Sequence, residues 1–182
     1  STPLRVCKNQ RIHIHKVFKG IAQRGKCSMG WFFGFKLHLI CNEKGELLNF
    51  MITPGDIDDR KPLEYKAFID FIYGKLFGDK GYISKNLFQR LFVDGIQLIT
   101  KLKGNMKGAL MSVSDRLLLR KRAIIETVND ELKNIAQVEH SRHRCFDNFI
   151  VNLLGAIAAY CLFPKKPCIN VQRTIDTQLA LF

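Results

Sequence analysis

Hydrophobic and polar residues alternate along the segment GFKLHLIC, residues 34–41. In a β-strand this alternation would place its phenylalanine and two leucines on one face and Lys36 and His38 on the other. The turn sequence NEKG follows, and LLNFMIT at residues 47–53 has the composition of a returning strand. The pattern therefore predicts an antiparallel hairpin.

Helix and strand patterns alternate after this hairpin. The segment SKNLFQRLFVDG predicts a helix with Ser84 as its N-cap and Gly95 as its stop, and KLFGDKGY predicts a short strand that ends at Gly78 or Asp79. The other predicted elements are a helix over LEYKAFIDFIYG, a strand over IQLITKL, a loop over KGNMKG, a long helix over about 114–137 and a last helix over about 146–162. A hairpin followed by strand–helix alternation predicts an α/β domain with a mixed sheet flanked by helices.

The long helix contains RKRAIIETVNDELKNI, residues 120–135, and would carry a charged stripe. Glu126 follows Arg122 by four residues, and Lys133 follows it by eleven. Because a helix advances by about 100° per residue, the three side chains would lie within about 40° of one another. The apolar residues of the segment fall on a different face, so this helix would bury one side and present the Arg–Glu–Lys stripe on another.

The chain is strongly basic, with 29 Lys and Arg against 16 Asp and Glu and a net charge of +13. Residues 1–42 contain no acidic residue, and a second basic run over residues 101–122 is opposed only by Asp115. Such charge favours a polyanionic partner, either nucleic acid or an anionic membrane surface. The hydrophobic content of 47% is too high for a disordered chain, and 182 residues suit one packed domain with or without an appendage.

Other features exclude several classes of protein. The apolar segment 149–163 is too short for a comfortable membrane span and predicts a buried helix. The six cysteines form no C-x-x-C pair, which gives no support to zinc-ribbon or thioredoxin sites. HSRHRC, with His140, His143 and Cys145, is a weak metal pattern that is more typical of a basic turn. No signal peptide is visible, and scattered reduced thiols indicate a cytoplasmic protein.

Asp79 and Glu126 are the candidate acids. Asp79 lies between two glycines in GDKGY, at the carboxyl end of a predicted strand, where the ligand sites of open α/β sheets gather. An aspartate beside glycine is also typical of a plain turn. Glu126 is equally explained as the partner of Arg122 in a salt bridge on the helix surface. With the arginine four residues before the glutamate, such a pair stabilises a helix by only a few tenths of a kcal/mol.

Two carboxylates among cations suit divalent-metal chemistry on phosphates. Mg²⁺ prefers hard oxygen ligands and takes a few carboxylates together with waters and substrate phosphate. Arg and Lys beside such a site would hold phosphate oxygens. A two-metal arrangement usually needs a third carboxylate, and Asp56, Asp58 and Asp59 are available, although they lie in a predicted helix-capping turn.

The motif GDKGY, followed downstream by R-x3-E-x6-K at Arg122, Glu126 and Lys133, resembles the signature of DDE-type insertion-sequence transposases. The resemblance is to the bacterial branch of this family whose members carry a Y-R-E-K box. The segments STPLRVCK, GWFFGFKLHLI, TPGDIDDR and SRHR resemble further blocks of one group in it, so the resemblance covers essentially the whole chain. It implies a ribonuclease H-like fold with a mixed five-stranded sheet, as a catalytic domain over residues 1–163 with a C-terminal tail over residues 164–182.

The resemblance also implies roles for individual residues. Asp79 would be the second catalytic acid and Glu126 the third, and together they would hold Mg²⁺ or Mn²⁺. Arg122 and Lys133 would lie near the DNA backbone and position phosphates. Lys80 and Tyr82 would be neighbours of the site. It is an equally good interpretation that Lys80 is an ordinary surface lysine and Tyr82 an ordinary packed tyrosine.

Two departures from the family pattern stand out. Leu119 occupies the place of the tyrosine that usually precedes the box arginine by three residues. The first catalytic aspartate of the family lies immediately before the S-x-P-L block, and this sequence begins at Ser1. We therefore expect a truncated first strand, an incomplete metal site and little or no activity for these residues alone.

The function implied is DNA transposition. A divalent cation would activate water to cleave a phosphodiester at the element's end, and the freed 3′-hydroxyl would then attack target DNA, on a homodimer or larger assembly that holds paired ends. Two alternatives stay open: a nuclease of the same fold, which stops at hydrolysis, and a DNA-binding remnant without catalysis.

Overall fold

The computed structural model describes residues 1–101, 112–139 and 143–169. Its strands are β1 (Thr2–Cys7), β2 (Gln23–Cys27), β3 (Gly30–Cys41), β4 (Leu47–Pro54), β5 (Gly74–Gly78) and β6 (Ile96–Thr100). Its α-helices are α1 (Lys66–Ile69), α2 (Lys85–Val93), α3 (Val113–Lys121), α4 (Ile124–Asn134) and α5 (Phe146–Cys161). Short 3₁₀ turns occupy Asn9–Ile14, Lys61–Glu64 and Lys80–Tyr82. The predicted KGNMKG loop lies outside the described residues.

The strands form two sheets. In the larger one, the long strand β3 pairs with β1 along one edge and with β2 and then β4 along the other, always antiparallel. In the smaller one, β5 pairs with β6 in parallel. The chain is therefore mixed α/β, as expected and compatible with a ribonuclease H-like fold. The expected single five-stranded sheet is not confirmed, because the described strands separate into a group of four and a group of two.

Several predicted elements are confirmed by the structure. The hairpin is β3 with β4, the strand after α1 is β5 and ends at Gly78, IQLITKL supplies β6, and the last helix is α5. Helix α2 begins where predicted, since the Ser84 hydroxyl accepts a hydrogen bond from the Leu87 amide at 3.4 Å. The stop at Gly95 has φ of +78°, a backbone conformation that glycine adopts without strain. Strands β1 and β2 lie in a region where the hydrophobic pattern predicted no element.

The predicted long helix is two helices, and this prediction was wrong in one respect. The helical axis breaks at Arg122 and Ala123, where Ile125 donates to the Arg122 carbonyl and Glu126 to the Ala123 carbonyl, three residues back in each case. The two helices have different neighbours: α3 contacts β5 and β6, whereas α4 packs against α5.

The helix predicted over LEYKAFIDFIYG is much shorter than expected. Only four residues, Lys66–Ile69, are α-helical. The Asn49 side-chain amide donates to the Ala67 and Phe68 carbonyls at 3.1 Å, which satisfies groups that a longer helix would need for itself. The helix ends at Asp70, which takes an extended backbone conformation with ψ of 137°, and Phe71 follows with φ of +62°.

Two hydrophobic cores pack on the opposite faces of the larger sheet's central strand. The first contains Leu4, Phe35 and Leu37 together with residues of α4 and α5. The second joins Ile40 to the apolar side chains of α1, α2 and β6. The described part of the chain contains no helix with the length and apolar character of a membrane span.

The expected polar face of β3 is covered by protein. His38 is 3% exposed, and its Nε2 lies 2.9 Å from the Thr53 hydroxyl. Lys36 donates to the Ile57 carbonyl at 2.7 Å and pairs with Asp59 at 3.0 Å. The segment that follows β4 folds back over this face, which alternation within β3 alone does not reveal.

Close approach between strands depends on Gly34. A Cβ at Gly34 would overlap the Leu4 carbonyl oxygen of β1. Its φ of +156° is also a conformation that other residues rarely adopt. Strand β1 can therefore lie against β3 only because this position has no side chain.

Candidate active site

The carboxyl end of β5 presents Asp79. The strand stops at Gly78, and the Asp79 side chain caps the following 3₁₀ turn by accepting a hydrogen bond from the Lys80 amide at 2.7 Å. The Asp79 side chain is 60% exposed. The local fold thus turns a carboxylate outward at the edge of the smaller sheet.

Arg122, at the break between α3 and α4, reaches this carboxylate from another part of the chain. Its Nη2 donates to Asp79 Oδ1 at 3.2 Å, and its side chain is 22% exposed. Arg122 Nε is buried and has no hydrogen-bond partner among the described residues. Both hydrogen bonds to Asp79 go to Oδ1, so its Oδ2 is the oxygen that can turn towards a cation.

Glu126 lies on the first turn of α4 with its side chain exposed. It lines the same cavity as Asp79 and Arg122, and this cavity has a volume of about 290 Å³. Arg122 lies at the helix break and Glu126 on the first turn after it, and both line this cavity. Two of the predicted acids and one predicted cation are therefore brought together.

Lys133 is not part of this group. It follows Glu126 by seven residues, which is about 10 Å along the axis of α4. Its ammonium donates to the Pro3 carbonyl of β1 at 3.1 Å and pairs with Glu139 at 3.1 Å. These contacts tie α4 to β1, and they give Lys133 a structural role in this conformation.

The two other predicted neighbours of the site, Lys80 and Tyr82, differ from each other. Lys80 is exposed, whereas Tyr82 is half-buried and lines the cavity beside Asp79. Burial raises the pKa of Tyr82 to about 12, and the nearby charges of Asp59 and Asp79 add to the shift. The Tyr82 phenol is therefore a neutral hydrogen-bonding group at neutral pH.

The three aspartates of TPGDIDDR also differ in their partners and in their positions relative to the cavity. Asp58 is held by Arg60 through contacts of 2.7 to 2.9 Å, which keep the pKa of its carboxyl far below the usual range. Asp59 lines the cavity but pairs with Lys36. Burial alone would raise the pKa of Asp59, but the hydrogen bonds and positive charges of Lys36 and of the Ser1 amino group outweigh it, so that the pKa is lowered. Asp59 is thus the member of this set that lies beside the candidate site.

Asn129 is a cavity residue that the sequence motif did not single out. It follows Glu126 by three residues on α4, and its Oδ1 is buried without a hydrogen-bond partner among the described residues. Residues three apart on a helix share a face, so this spacing is the signal that would have pointed to it.

The oxygen donors fit a hard divalent cation in type. Carboxylates are the ligands that Mg²⁺ and Mn²⁺ prefer, and Mg²⁺ is commonly held by only one or two of them together with substrate phosphate. No cluster of three potential His, Cys, Asp or Glu ligands occurs within the described ranges 1–101, 112–139 and 143–169. Asp79 and Glu126 are candidate ligands of the right chemical type. His140 of the weak HSRHRC pattern lies outside the described residues.

Comparison with known families gives one match. The family model described as a transposase DDE domain matches residues 1–146. The chain belongs to this family. No curated protein and no solved structure matches it. The match includes Asp79, Arg122, Glu126 and Lys133 and ends at the first residue of α5.

Membership of this transposase family indicates the class of reaction and the class of substrate. Transposase DDE domains are DNA-cleaving enzymes of transposition, and they generally use a divalent metal. DNA is accordingly the substrate class. The match does not distinguish one branch of the family from another.

Proposed function

We propose that this chain carries the catalytic centre of an insertion-sequence transposase of the Y-R-E-K branch, and that the cavity between β5 and α4 is that centre. The observation that carries the proposal is the convergence of Asp79, Arg122 and Glu126 on one cavity from separate elements. Asp79 and Glu126 hold Mg²⁺ or Mn²⁺ through their carboxylate oxygens. The cation, when bound, supplies charge neutralisation at the scissile phosphate and activation of the attacking hydroxyl group.

Arg122 is suited to two tasks in this centre. Its hydrogen bond orients Asp79, and its buried Nε lacks a partner among the described residues. A guanidinium presents five donors in a planar fork that matches phosphate oxygens. We assign Arg122 to the phosphate next to the scissile bond, with exposed Lys80 as a further backbone contact and the Tyr82 phenol as a neutral hydrogen-bond donor.

A third carboxylate would come from the position directly before Ser1. In the pairing of β1 with β3, Thr2 lies opposite Leu37 and Leu4 opposite Phe35. Side chains alternate along a strand, so the position before Ser1 shares the face of Thr2 and Leu4. That face packs against Val128 and Leu132 of α4. An aspartate there would therefore point to the helix that carries Glu126.

The same region has room for a strand. The β1–β3 pairing ends at Thr2 and Leu37, so the edge of β3 beyond Leu37 has no partner on that side among the described residues. The cavity is lined along one side by His38–Glu43 and along the other by Leu76–Asp79. A continuation of β1 before Ser1 would lie between these edges and join both sheets, which is how a ribonuclease H-like sheet with five principal strands would arise.

The test uses two extended chains that differ in a single side-chain group. Both carry a short strand-forming segment before Ser1, one ending in Asp and the other in Asn. We expect Mg²⁺-dependent nicking of a duplex that bears an element end with the Asp chain and not with the Asn chain. Equal nicking by both chains would contradict the role of this position.

A joining assay separates transposition from simple hydrolysis. Pre-cleaved ends with a free 3′-hydroxyl are mixed with labelled target duplex and Mn²⁺, and we expect end–target products from a transposase. A nuclease would only shorten the DNA. Binding that weakens with salt, without nicking or joining by the Asp chain, would indicate a DNA-binding remnant instead. Cross-linking on paired ends would show whether two or more copies assemble.

A further inference from the structure

The hairpin of β2 and β3 carries a cluster that the catalytic centre does not use. The two strands pair from Gln23 opposite Gly34 to Cys27 opposite Gly30, and the turn Ser28–Met29 joins them. Trp31, the single tryptophan of the chain, lies at this end and is 55% exposed. Its neighbours Phe32 and Phe33 are buried, so Trp31 is the aromatic residue of this hairpin that reaches solvent.

Two cations lie over the Trp31 ring. The guanidinium carbon of Arg24 is 5.7 Å from the ring centroid, and the ammonium of Lys26 is 5.9 Å from it. Lys26 is directly opposite Trp31 across the strand pair, and Arg24 is two residues away on the same face. The Asn9 amide donates to the Trp31 carbonyl at 2.9 Å and holds the backbone there. The ring thus fixes two positive charges side by side.

These charges have no counter-ion in the described structure. Neither Arg24 nor Lys26 forms an ion pair with any carboxylate of the described ranges, although seven other pairs occur there. The first acidic residue of the chain is Glu43, so no acidic neighbour precedes or follows the cluster within the first 42 residues. Adjacent like charges repel, and a bound anion would relieve that repulsion.

We propose that Arg24, Lys26 and Trp31 form a second DNA-binding surface, which grips the phosphate backbone of duplex DNA at a distance from the reacting bond. This inference rests on the proposed function for its partner, because DNA is the polyanion that the catalytic cavity acts on. The Trp31 ring is occupied by the two cations, so it positions charge for phosphates and does not stack on an extruded base.

The geometry sets the spacing between the two surfaces. Trp31 and Leu39 lie on the same strand, and Leu39 lines the cavity. Eight residues of β-strand span about 26 Å. Base pairs of B-DNA are about 3.4 Å apart, so the hairpin surface would meet phosphates about seven or eight base pairs from this edge of the cavity.

The experiment measures duplex binding by the full chain through Trp31 fluorescence, without metal and therefore without catalysis. A saturable change on adding a 25-base-pair duplex is expected. For affinities we compare the unmodified chain with Arg24→Gln/Lys26→Gln and with the control Lys66→Gln/Lys165→Gln, which removes two exposed cations elsewhere. The hairpin variant should bind about tenfold weaker or more at 0.1 M salt, and its slope of log affinity against log salt should be shallower by about 1.8.

Duplex length provides a second arm. With a duplex of six base pairs around the reacting bond, the hairpin and control variants should bind equally, because the hairpin surface is out of reach. Equal affinity and equal salt slope for the hairpin variant and the unmodified chain on the long duplex would overturn the proposal. So would tighter binding to single strands than to duplex.

The experiments distinguish failure of the hairpin-surface proposal from failure of the proposed catalytic function. If no form of the chain nicks or joins DNA but the hairpin variant still loses affinity, the surface stands and the catalytic assignment falls. If nicking occurs and hairpin substitutions leave binding unchanged, the reverse holds. Circular dichroism melts of each variant check that the hairpin substitutions have not unfolded the chain.

Discussion

Among single residues, the cavity contains exposed carboxylates, Asp79 and Glu126, and a buried imidazole, His38. Asp79 and Glu126 reach solvent, as ligands for an incoming cation must. His38 lines the deeper part, and its Nδ1 is buried without a hydrogen-bond partner among the described residues. The outer part of the cavity therefore suits chemistry, and the inner part contributes to stability.

The first residue-scale prediction concerns Glu126. In the chain extended by Asp before Ser1, Glu126→Gln should lower the nicking rate by more than about a hundredfold, because residues that merely support metal ligands already contribute about ten- to hundredfold. DNA affinity without metal should stay unchanged. Asp130→Asn is the matched control, since Asp130 is an exposed carboxylate on the same helix. A parallel loss of binding and nicking would make Glu126 structural.

The second residue-scale prediction concerns His38. Burial lowers the pKa of His38 to about 4, and the charges of the terminal amino group and Lys36 contribute, partly opposed by Asp59. The unfolded chain therefore binds a proton near pH 6.5 that the folded chain takes up only near pH 4. Stability should fall as pH drops through this window, by about 3 kcal/mol in total.

Urea unfolding at several pH values tests this expectation. The unmodified chain should lose stability between pH 6.5 and pH 4 more steeply than His38→Gln, which has no group to protonate there. The comparison uses the difference between the two curves, so any constant cost of the substitution cancels. Parallel curves would show that His38 does not titrate in this range.

Among the secondary-structure elements, α3 and α4 replace the predicted long helix, with Arg122 at the break between them and Glu126 on the first turn of α4. The spacing of Arg122 and Glu126 predicted that they share a face, and both do line one cavity. The same spacing predicted that Lys133 joins them, and the structure instead places Lys133 against β1. Local periodicity gives the order of residues around a helix, but it does not show which neighbouring element each turn will meet.

The other differences between sequence and structure have the same origin. β3, β4, β6, α2 and α5 were predictable because their patterns or caps are local. The hydrophobic pattern predicted neither β1 nor β2, which become strands by pairing with β3, and a shortened first strand was expected only from the family resemblance. The burial of His38 depends on the partner strand, since its Nε2 lies 2.9 Å from the hydroxyl of Thr53, 15 residues away in β4. The carboxylate pair was predicted from a motif, while its geometry depends on tertiary contacts.

An element-scale prediction separates two roles for Lys133. If it ties α4 to β1, Lys133→Met should lower the free energy of unfolding by about 1 to 2 kcal/mol, since a charged hydrogen bond is lost. The salt dependence of DNA binding should then match that of the control Lys66→Met. A slope shallower by about 0.9 with unchanged stability would instead support the phosphate contact expected from the family motif.

For the whole molecule, charge and sheet architecture act together. Much of the net charge of +13 comes from residues 1–42, which contain no acidic residue. These residues form β1, β2 and β3 with the connections between them. The carboxyl-terminal part of β3 also lines the candidate cavity. An acid-free, basic part of the chain is thus built into the sheet that borders this cavity.

The gap between the two sheets gives a whole-molecule prediction. A strand-forming segment added before Ser1 should pair with β3 and raise the melting temperature by several degrees, because each kcal/mol shifts it by about 2–4 °C in a domain of this size. An extension of equal length made of glycine and serine should leave it unchanged. Identical melting temperatures for both extensions would show that the gap does not accept a strand.

Gly34 has a wider consequence for how this enzyme domain tolerates change. The position has no chemical group that could touch DNA or a cation, yet any methyl there would push apart the two strands it separates. That displacement would travel along β1 to Ser1, which lines the candidate cavity. A loss-of-function variant at Gly34 would therefore look, in an activity screen, like damage to a catalytic residue, and only a folding measurement would tell the two apart.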